Sequence, residues 1–401
     1  MAMQLGIVGK PNVGKSTFFN AATDAHAEIA NYPFTTIDAN HGVMYFRTPC
    51  PCKEFKVTCT PHNSKCIEGT RFVPIEAIDV AGLVPDAHKG KGLGNKFLDD
   101  LRQAHVLIHI IDASGSTDAE GNPCELGSYD PLQDVSFLEK ELMYWMADIV
   151  KRSWEKTARQ SELEGKKIDR MLAEKLTGLG IKEEHISSAL RKQDLDALHP
   201  SKWSDDDLLT LAQYICSISK PVILAFNKSD KAPDALMKKA EVLRKQGYHV
   251  IPTSAEAELA LINASKKGII EYVPGSSSFQ LKQADELSEK QRNALEYIRE
   301  HVLKTYGSTG VQQCIEAAVK MLDLIVVYPV QDDVHLTDKE GRVLPDAFLI
   351  PRGTTAKELA YKVHTDLGEH FIRAIDVRTH RVIGADHELQ NGDVISIIAD
   401  T

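Results

Sequence analysis

Short apolar runs of strand length, separated by glycine-rich turns and helical stretches, predict a sheet flanked by helices. The first helical stretch, at 15–23, directly follows the first run and a glycine-rich turn. Strands that alternate with helices favour an α/β fold with a mostly parallel sheet. The strand-like runs are residues 4–9, 72–82, 105–114, 221–230 and 249–255.

Residues 125–219 show a different pattern, with apolar side chains at helical spacing and many charges between them. Three or four helices are predicted here, and Ser204 is expected to cap the last one. We interpret this interval as a helical insertion within the α/β domain. It could serve as a solvated structural lid or as a docking surface for a partner.

The pattern changes again near the segment PGSSSFQ at 274–280, which is typical of a linker. We predict a nucleotide-binding domain at 1–275, a helical linker region at 276–323 and a small C-terminal domain at 324–401. The last domain reads as strand, polar hairpin, short helix and closing strand, an order that suggests a β-grasp fold.

Two local signals support this C-terminal prediction. Thr355 and Glu358 have capping-box spacing at the start of the short helix. An Asn-Gly turn stands directly before the closing strand, as is common where strands pair.

Composition and charge narrow the class of protein. Of 401 residues, 43% are hydrophobic and 26% are charged, a globular balance, and the net charge of −10 argues against general coating of nucleic acid. No apolar run reaches the roughly 18 residues of a membrane span. A strand begins almost at the first residue and leaves no room for a signal peptide. We therefore expect a cytoplasmic protein with no membrane partner.

The segment GKPNVGKS at 9–16 has the spacing of a P-loop between a strand and a helix. Its glycines let backbone N–H groups approach phosphate oxygens. Lys15 is expected to reach the β- and γ-phosphates, and Ser16 to offer its hydroxyl to Mg²⁺. The predicted phosphate-binding residues are Gly9, Pro11, Asn12, Val13, Gly14, Lys15, Ser16 and Thr17.

A switch region is predicted after the second long strand. Asp79 ends that strand and can hold Mg²⁺ through water, while the N–H of Gly82 can sense the γ-phosphate. In NYPFTTID at 31–38, Thr35 or Thr36 could close over the metal, and we assign Thr36. The predicted Mg²⁺ ligands are thus Ser16, Thr36 and Asp79.

Two further motifs predict a guanine reader. FNKSD at 226–230 follows an apolar strand, so that Asp230 can accept hydrogen bonds from the N1–H and 2-amino groups of guanine, a pair of donors that adenine lacks. Asn227 supports this loop and Lys228 covers the base with its aliphatic stem. In the segment Thr253, Ser254 and Ala255, a backbone N–H is expected to meet guanine O6.

These motifs resemble the Obg-like GTPases, most closely their YchF branch. The resemblance is carried by GIVGKPNVGKSTFFNAAT, NYPFTTIDAN and the DVAGLVPDAHKGKGLGNK stretch, and it covers residues 1–115, 221–270 and 324–401. The tail resembles the TGS domain, a β-grasp module shared with some tRNA synthetases and stringent-response enzymes. The insertion and a cysteine cluster look like the archaeal version of the family.

The resemblance implies slow hydrolysis of GTP to GDP and phosphate with Mg²⁺, as a switch on the ribosome or RNA, with the TGS-like domain as the contact. Many YchF proteins have lost the Asn-Lys-x-Asp motif and prefer ATP, but NKSD at 227–230 is intact here. GTP is therefore expected, with ATP as the alternative. A nucleotide-held or redox-sensing adaptor with negligible turnover is a further alternative.

Leu83 follows Gly82, where Ras-like enzymes carry a glutamine that positions water. A leucine cannot do this, so the assistance must come from elsewhere. Asn12 could hold K⁺, as in some relatives, or merely shape the turn. His109 matches a histidine in relatives but could be a core residue, and His88 could be a solvated loop residue. A partner could also supply the group. The predicted catalytic residues are Lys15, Asn12, His109 and Gly82.

Four of the seven cysteines, Cys50, Cys52, Cys59 and Cys66, lie close together, with His62 between the last two. Zinc takes four sulfur or nitrogen ligands in a tetrahedral array, but C-x-C spacing is a weaker signal than C-x₂-C. Structural Zn²⁺, disulfides and free thiols therefore stay open as alternatives. Disulfides are rare in ordinary cytosol, although they occur in hyperthermophiles.

Overall fold

The structure, a computed structural model, describes residues 3–24, 41–80, 94–152, 154–195, 197–282 and 287–400. The chain forms two compact units, each assembled from three separate stretches. The first unit comprises Met1–Phe19, Ala77–Ala257 and Glu300–Gly310. The second comprises Asn20–Glu76, Glu258–Arg299 and Val311–Thr401. The linear domain boundaries given above stay a prediction.

The strands of the described residues are β1 Gln4–Val8, β2 His41–Pro49, β3 Lys65–Ile67, β4 Thr70–Asp79, β5 Val106–Asp112, β6 Val222–Asn227, β7 His249–Pro252, β8 Ile270–Glu271, β9 Gln280–Leu281, β10 Leu324–Val330, β11 Phe348–Pro351, β12 Phe371–Asp376, β13 Arg381–Ile383 and β14 Val394–Ala399. The α-helices are α1 Lys15–Asp24, α2 Gly94–Gln103, α3 Leu132–Lys151, α4 Trp154–Glu164, α5 Ile168–Leu176, α6 Glu183–Lys192, α7 Asp205–Ser219, α8 Asp234–Lys245, α9 Ala255–Lys266, α10 Glu289–Tyr297, α11 Lys304–Tyr306, α12 Val311–Met321, α13 Ala356–Val363 and α14 Thr365–Glu369.

The first unit contains a parallel sheet, as the alternating pattern predicts. Strands β1, β5, β6 and β7 pair in that order, each parallel to the next. The N–H of Val80 donates to Ile7 O at 3.0 Å, which places the carboxyl end of β4 beside β1. Every side chain of β5 is buried, as expected for a strand covered on both faces. The carboxyl ends of the parallel strands share one edge, where the P-loop and the two motifs predicted to read guanine begin.

The helical insertion contains five α-helices, α3 to α7, among the described residues, where three or four were predicted. The long amphipathic run from residue 132 is divided because Arg152 leaves the helical region, with φ −56° and ψ 114°, so that α3 and α4 are separate. Ser204 caps α7 as predicted, since its hydroxyl accepts from the N–H of Asp207 at 3.2 Å. The insertion buries a common apolar core that includes Leu142, Trp145 and Leu211.

The C-terminal part of the second unit is a mixed five-stranded sheet in the order β11, β10, β14, β12, β13. Strands β10 and β14 are parallel, and the other pairs are antiparallel. Helix α13 contributes Leu359 and Ala360 to its core. Thr355 and Glu358 form the predicted capping box. This arrangement confirms the predicted β-grasp fold.

Three details of the second unit differ from the sequence pattern. The polar hairpin predicted in the C-terminal domain falls on residues 337–345, and there the chain forms a turn closed by an isolated bridge between Thr337 and Val343. The sequence pattern does not indicate the β12–β13 hairpin, because most of its side chains are partly or fully exposed and lack an alternating pattern. Nor does it indicate strands β2 and β3; β3 pairs antiparallel with the start of β4.

None of the helices in the described ranges combines the length and the apolar character that crossing a membrane requires.

Candidate functional site

A cavity of about 620 Å³ in the first unit brings the predicted phosphate and base motifs together. It opens where the P-loop faces the segments that follow β6 and β7. The lining residues are Lys10, Pro11, Asn12, Gly14, Lys15, Ser16, Thr17, Asn227, Lys228, Asp230, Lys231, Ser254 and Glu256. Val13, Thr253 and Ala255 are fully buried behind this wall, so they support the site from within the fold.

The P-loop requires glycine at two positions. Gly14 has φ +95°, and a Cβ atom there would lie 2.3 Å from Asn227 Nδ2, so this position requires glycine. Gly9 is similarly confined, because a Cβ would lie 2.8 Å from Ile110 O. Helix α1 then begins at Lys15, and its first N–H groups and dipole favour an anion at this end.

Lys15 and Asp79 are in direct contact through Nζ and Oδ1. The Lys15 ammonium, which is predicted to bind phosphate, the carboxylate at the end of β4 and the cavity-lining Ser16 therefore belong to one site. Carboxylate and hydroxyl oxygens are the ligands that Mg²⁺ takes in nucleotide sites, so these residues fit the predicted metal. The remaining predicted switch residues, Thr35, Thr36, Gly82, Leu83 and His88, lie outside the described residues.

Asn227 joins the two halves of the cavity. Its Nδ2 donates to Val13 O at 2.8 Å, and its Oδ1 accepts from the N–H of Ala255 at 3.0 Å. Both bonds are buried, where an unpaired partner costs about 1–3 kcal/mol. Asn227 therefore fixes the P-loop relative to the segment after β7, which gives a physical basis to its predicted supporting role.

Lys228 occupies the left-handed region with φ +59°. Its Nζ donates to Asn12 O at 3.0 Å and to Asp112 Oδ2 at 2.8 Å. Burial acts to raise the pKa of Asp112, but hydrogen bonds from Lys228 and Ser114 outweigh burial, and the pKa is lowered. The resulting ion pair holds the stem of Lys228 along the cavity.

The backbone of the segment after β7 departs from one expectation. The N–H groups of Thr253, Ser254 and Ala255 already donate within the protein, to Phe226 O at 2.8 Å, Thr309 O at 2.8 Å and Asn227 Oδ1 at 3.0 Å. The hydrogen bond predicted from this segment to guanine O6 thus has competing partners. Glu256, the second residue of α9, lines the cavity and stands at a helix N-terminus whose N–H groups lack intrahelical partners.

The two water-positioning candidates that the structure describes occupy different environments. His109 lies on β5 with 1% exposure and is absent from the cavity lining formed by the described residues. Burial, followed by the nearby charge of Lys10, lowers its pKa to about 3. This position favours the core-histidine alternative. Asn12 lines the cavity, has φ +64°, and donates through Nδ2 to Gly121 O at 2.9 Å.

Several residues that support the site belong to none of the predicted motifs. Lys10 is buried and pairs with Asp134 at 2.9 Å beneath the P-loop. Tyr306 donates through its hydroxyl to Ser229 O at 2.9 Å, and Thr309 accepts from Ser254 as described above. Residues 300–310 thus support the segments that are predicted to bind the base, from a distant part of the sequence. The strand-end aspartate in IIDAS, Asp112, is the one such residue that a sequence pattern could have indicated.

The structure also gathers the sulfur atoms of Cys50, Cys52, Cys59 and Cys66 in the second unit, all within 4.8 Å of one another. None of the seven cysteines forms a disulfide.

Comparison with known families gives three matches along the chain. Residues 4–140 match the family described as 50S ribosome-binding GTPase. Residues 225–332 match the Obg-like GTPase YGR210-like, G4 motif-containing domain. Residues 336–399 match the TGS domain.

Individual proteins match over most or all of the chain. A GTP-binding protein of Methanocaldococcus jannaschii is 54% identical over 402 residues, covering 100% of this chain and 99% of its own length. A GTP-binding protein of Schizosaccharomyces pombe is 36% identical over 373 residues, covering 90% and 89%. The ribosome-binding ATPase YchF of Buchnera aphidicola is 27% identical over 418 residues, covering 99% of both.

Two solved structures agree with this fold. A GTP-binding protein from Pyrococcus horikoshii superposes with a TM-score of 0.76 at 42% identity, over 99% of this chain and 100% of the other. The YchF GTPase of Schizosaccharomyces pombe, at 22% identity, shares the fold with a TM-score of 0.59, over 99% and 97%.

Proposed function

The chain belongs to the YchF branch of the Obg-like GTPases, and from this premise we propose that it hydrolyses GTP to GDP and phosphate with Mg²⁺. One observation carries the proposal: Asp230 lines the same cavity as Lys15 and Ser16. The carboxylate proposed to read the base and the ammonium proposed to bind phosphate thus line one cavity.

The choice of GTP over ATP rests on hydrogen-bond chemistry. A carboxylate accepts and does not donate. Guanine presents N1–H and a 2-amino group to Asp230, whereas adenine presents no such pair and would leave the charged group without its partners. Relatives named ATPases keep ATP as the alternative substrate.

The phosphate end supplies the groups for hydrolysis. Ser16, Asp79 and the predicted ligand Thr36 would hold Mg²⁺, whose charge would offset that of the β- and γ-phosphates. Lys15 binds the same oxygens, and the first N–H groups of α1 orient them. Gly82 is the proposed donor to the γ-phosphate.

Assistance to the attacking water is proposed to come from Asn12 with K⁺. Asn12 lines the cavity, and its Nδ2 donates to Gly121 O, so the amide is held by a segment outside the P-loop. A monovalent cation at this position would place positive charge against the β- and γ-oxygens, where preorganised charge lowers the barrier. Slow turnover is expected because neither Leu83 nor the buried His109 can readily position water.

The test compares GTP with ATP and then changes Asp230. The wild type should bind GTP more tightly than ATP. Asp230→Asn should lose more than about tenfold in GTP affinity, since a hydrogen bond to a charged group contributes about 1.5–3 kcal/mol, and should gain affinity for xanthine nucleotides. Titration with fluorescent nucleotide analogues measures each constant.

Asp234→Asn is the matched control, because Asp234 is exposed on α8 and outside the cavity lining. It should retain the wild-type preference. Equal affinity of the wild type for ATP and GTP would contradict guanine reading. GTP binding without release of phosphate would instead support the adaptor alternative.

A further inference from the structure

The second unit holds four thiols at the spacing of a mononuclear metal site. Cys50 Sγ and Cys59 Sγ lie 3.9 Å apart, as do Cys52 Sγ and Cys66 Sγ. Tetrahedral zinc with Zn–S bonds of about 2.3 Å places its sulfur atoms about 3.8 Å apart. We propose that these four cysteines bind one structural Zn²⁺ as thiolates. This inference is independent of the nucleotide chemistry proposed above.

A buried arginine supplies a second reason. Arg71 is fully buried, and its Nε and Nη1 have no hydrogen-bond partner. It is the cross-strand partner of Cys66 in the β3–β4 pair, a position where side chains are neighbours. A buried cation is costly unless charge compensates it. Four thiolates around one Zn²⁺ carry a net negative charge and provide that compensation.

The same sulfur–sulfur distances argue against the two alternatives for the cluster, which are disulfides and free thiols. A disulfide needs bonded sulfurs about 2.05 Å apart, and both close pairs lie at 3.9 Å with all four cysteines free. Unligated thiols have no reason to converge from both ends of a 17-residue segment, with Cys50 and Cys52 buried. His62 does not belong to the group of convergent ligand atoms, which the four cysteines complete by themselves.

The zinc site fixes a segment that pairs with the β-grasp part of the same unit. Between Cys59 and Cys66, the N–H of Thr60 donates to Val343 O at 2.9 Å. Asn63 exchanges two 3.0 Å hydrogen bonds with the backbone of Ala347. These hydrogen bonds form only when the loop has one defined conformation. A metal ion bound by cysteines from both ends of the loop holds the loop in that conformation. The site therefore stabilises the segment 50–66 against the β-grasp residues 343–347.

The experiment begins with metal analysis of the full chain purified without chelator. About one equivalent of zinc is expected per chain, and replacement by Co²⁺ should give the intense absorption of a tetrahedral thiolate complex. Cys59→Ser, at a partly exposed ligand, should lose the bound metal. Cys124→Ser changes a cysteine of similar exposure in the first unit and should keep one equivalent.

Hydrogen exchange tests the structural role. Removal of zinc by chelator should increase exchange of the Thr60 and Ala347 amides by at least about tenfold, while the amides of the parallel strands stay protected. A metal-free wild type whose four cluster cysteines all react with a thiol reagent would overturn the proposal. An equivalent of iron in place of zinc would also overturn it. If Cys59→Ser fails to fold, these wild-type measurements still decide the question.

Discussion

At the scale of single residues, Asn12 combines backbone and side-chain roles in the P-loop. Its φ of +64° lies in the left-handed region, which asparagine tolerates better than most residues. Its amide also reaches Gly121 O. A simple alanine substitution would therefore strain the turn and remove the amide together, and an informative experiment must separate these effects.

We expect Asn12→Ala to lower turnover by about 10²-fold and to erase any stimulation by K⁺, because a positioned electrostatic group commonly contributes about 10²–10³ in rate. Asn12→Gly accommodates the left-handed backbone without the amide and is the matched control. If K⁺ acts through the side chain, both variants lose stimulation. Recovery of stimulation in Asn12→Gly would show that Asn12 only shapes the turn. Phosphate release with and without K⁺ measures the effect.

Lys15 is the second residue that permits a direct test. Lys15→Ala removes the cation at the β- and γ-phosphates and leaves Asp79 without its contact partner. Single-turnover hydrolysis should fall below detection, while the melting temperature stays near that of the wild type. Lys238→Ala, at an exposed position on α8, controls for loss of a lysine. Wild-type hydrolysis by Lys15→Ala would contradict the P-loop assignment.

At the scale of elements, strand β5 explains the state of His109. The strand lies between β1 and β6 and is buried on both faces. The imidazole of His109 is therefore buried, and its Nδ1 has no hydrogen-bond partner. Because burial lowers the pKa of His109 to about 3 in the folded chain, the native imidazole stays neutral. The unfolded chain takes up a proton at about pH 6.5.

This difference predicts how stability depends on pH. Above about pH 6.5, His109 is unprotonated in both the folded and the unfolded state and does not lower the free energy of unfolding. As the pH falls toward 3, only the unfolded state takes up a proton at His109, so the free energy of unfolding decreases. The contribution reaches about 1.4 kcal/mol per pH unit within this window. His109→Leu should therefore lose stability less steeply between about pH 7 and about pH 5, as measured by urea unfolding.

The same variant separates the two roles of His109. A core histidine predicts that folded His109→Leu turns over GTP close to the wild-type rate. A loss of about 10²-fold or more, with the melting temperature unchanged, would instead restore the catalytic alternative. His249→Leu, at an exposed position on β7, controls for removal of a histidine.

At the scale of the whole molecule, each unit contains segments that are far apart in sequence. The β-grasp sheet shares its unit with residues 41–76, so truncation before residue 324 would remove partners of that segment. Point variants are therefore the suitable probes of the β-grasp part. Its β12–β13 hairpin exposes Arg373 and Arg381, two cations of the kind that bind nucleic-acid phosphate.

The family resemblance carries the expectation that the β-grasp part contacts the ribosome or RNA, and these two arginines allow a test of it. Protein loaded with a non-hydrolysable GTP analogue should sediment with ribosomes. The double variant Arg373→Glu and Arg381→Glu should reduce that fraction at least about tenfold, because it replaces attraction to phosphate with repulsion. The matched control reverses Lys238 and Lys245 on α8 of the first unit. Equal loss in both variants would indicate non-specific charge attraction.

The sequence by itself determined the order of the motifs and the edge on which they act. Strand-length apolar runs followed by GKPNVGKS and NKSD were sufficient, because parallel strands bring their carboxyl ends to one edge. Capping residues such as Ser204 and Thr355 could also be predicted from the sequence, since their hydrogen bonds form within one helical turn.

Only the tertiary structure decided which partners these groups take over long separations. The amide of Asn227 binds Val13 O across 214 positions, and the N–H of Ser254 donates to Thr309 O, a residue that no motif indicated. The tertiary structure also buries His109 and brings the four cysteines together beside Arg71. Local patterns fix which residues are apolar, charged or turn-forming, but the environment of a buried hydrogen bond or charge depends on segments that meet only when the chain folds.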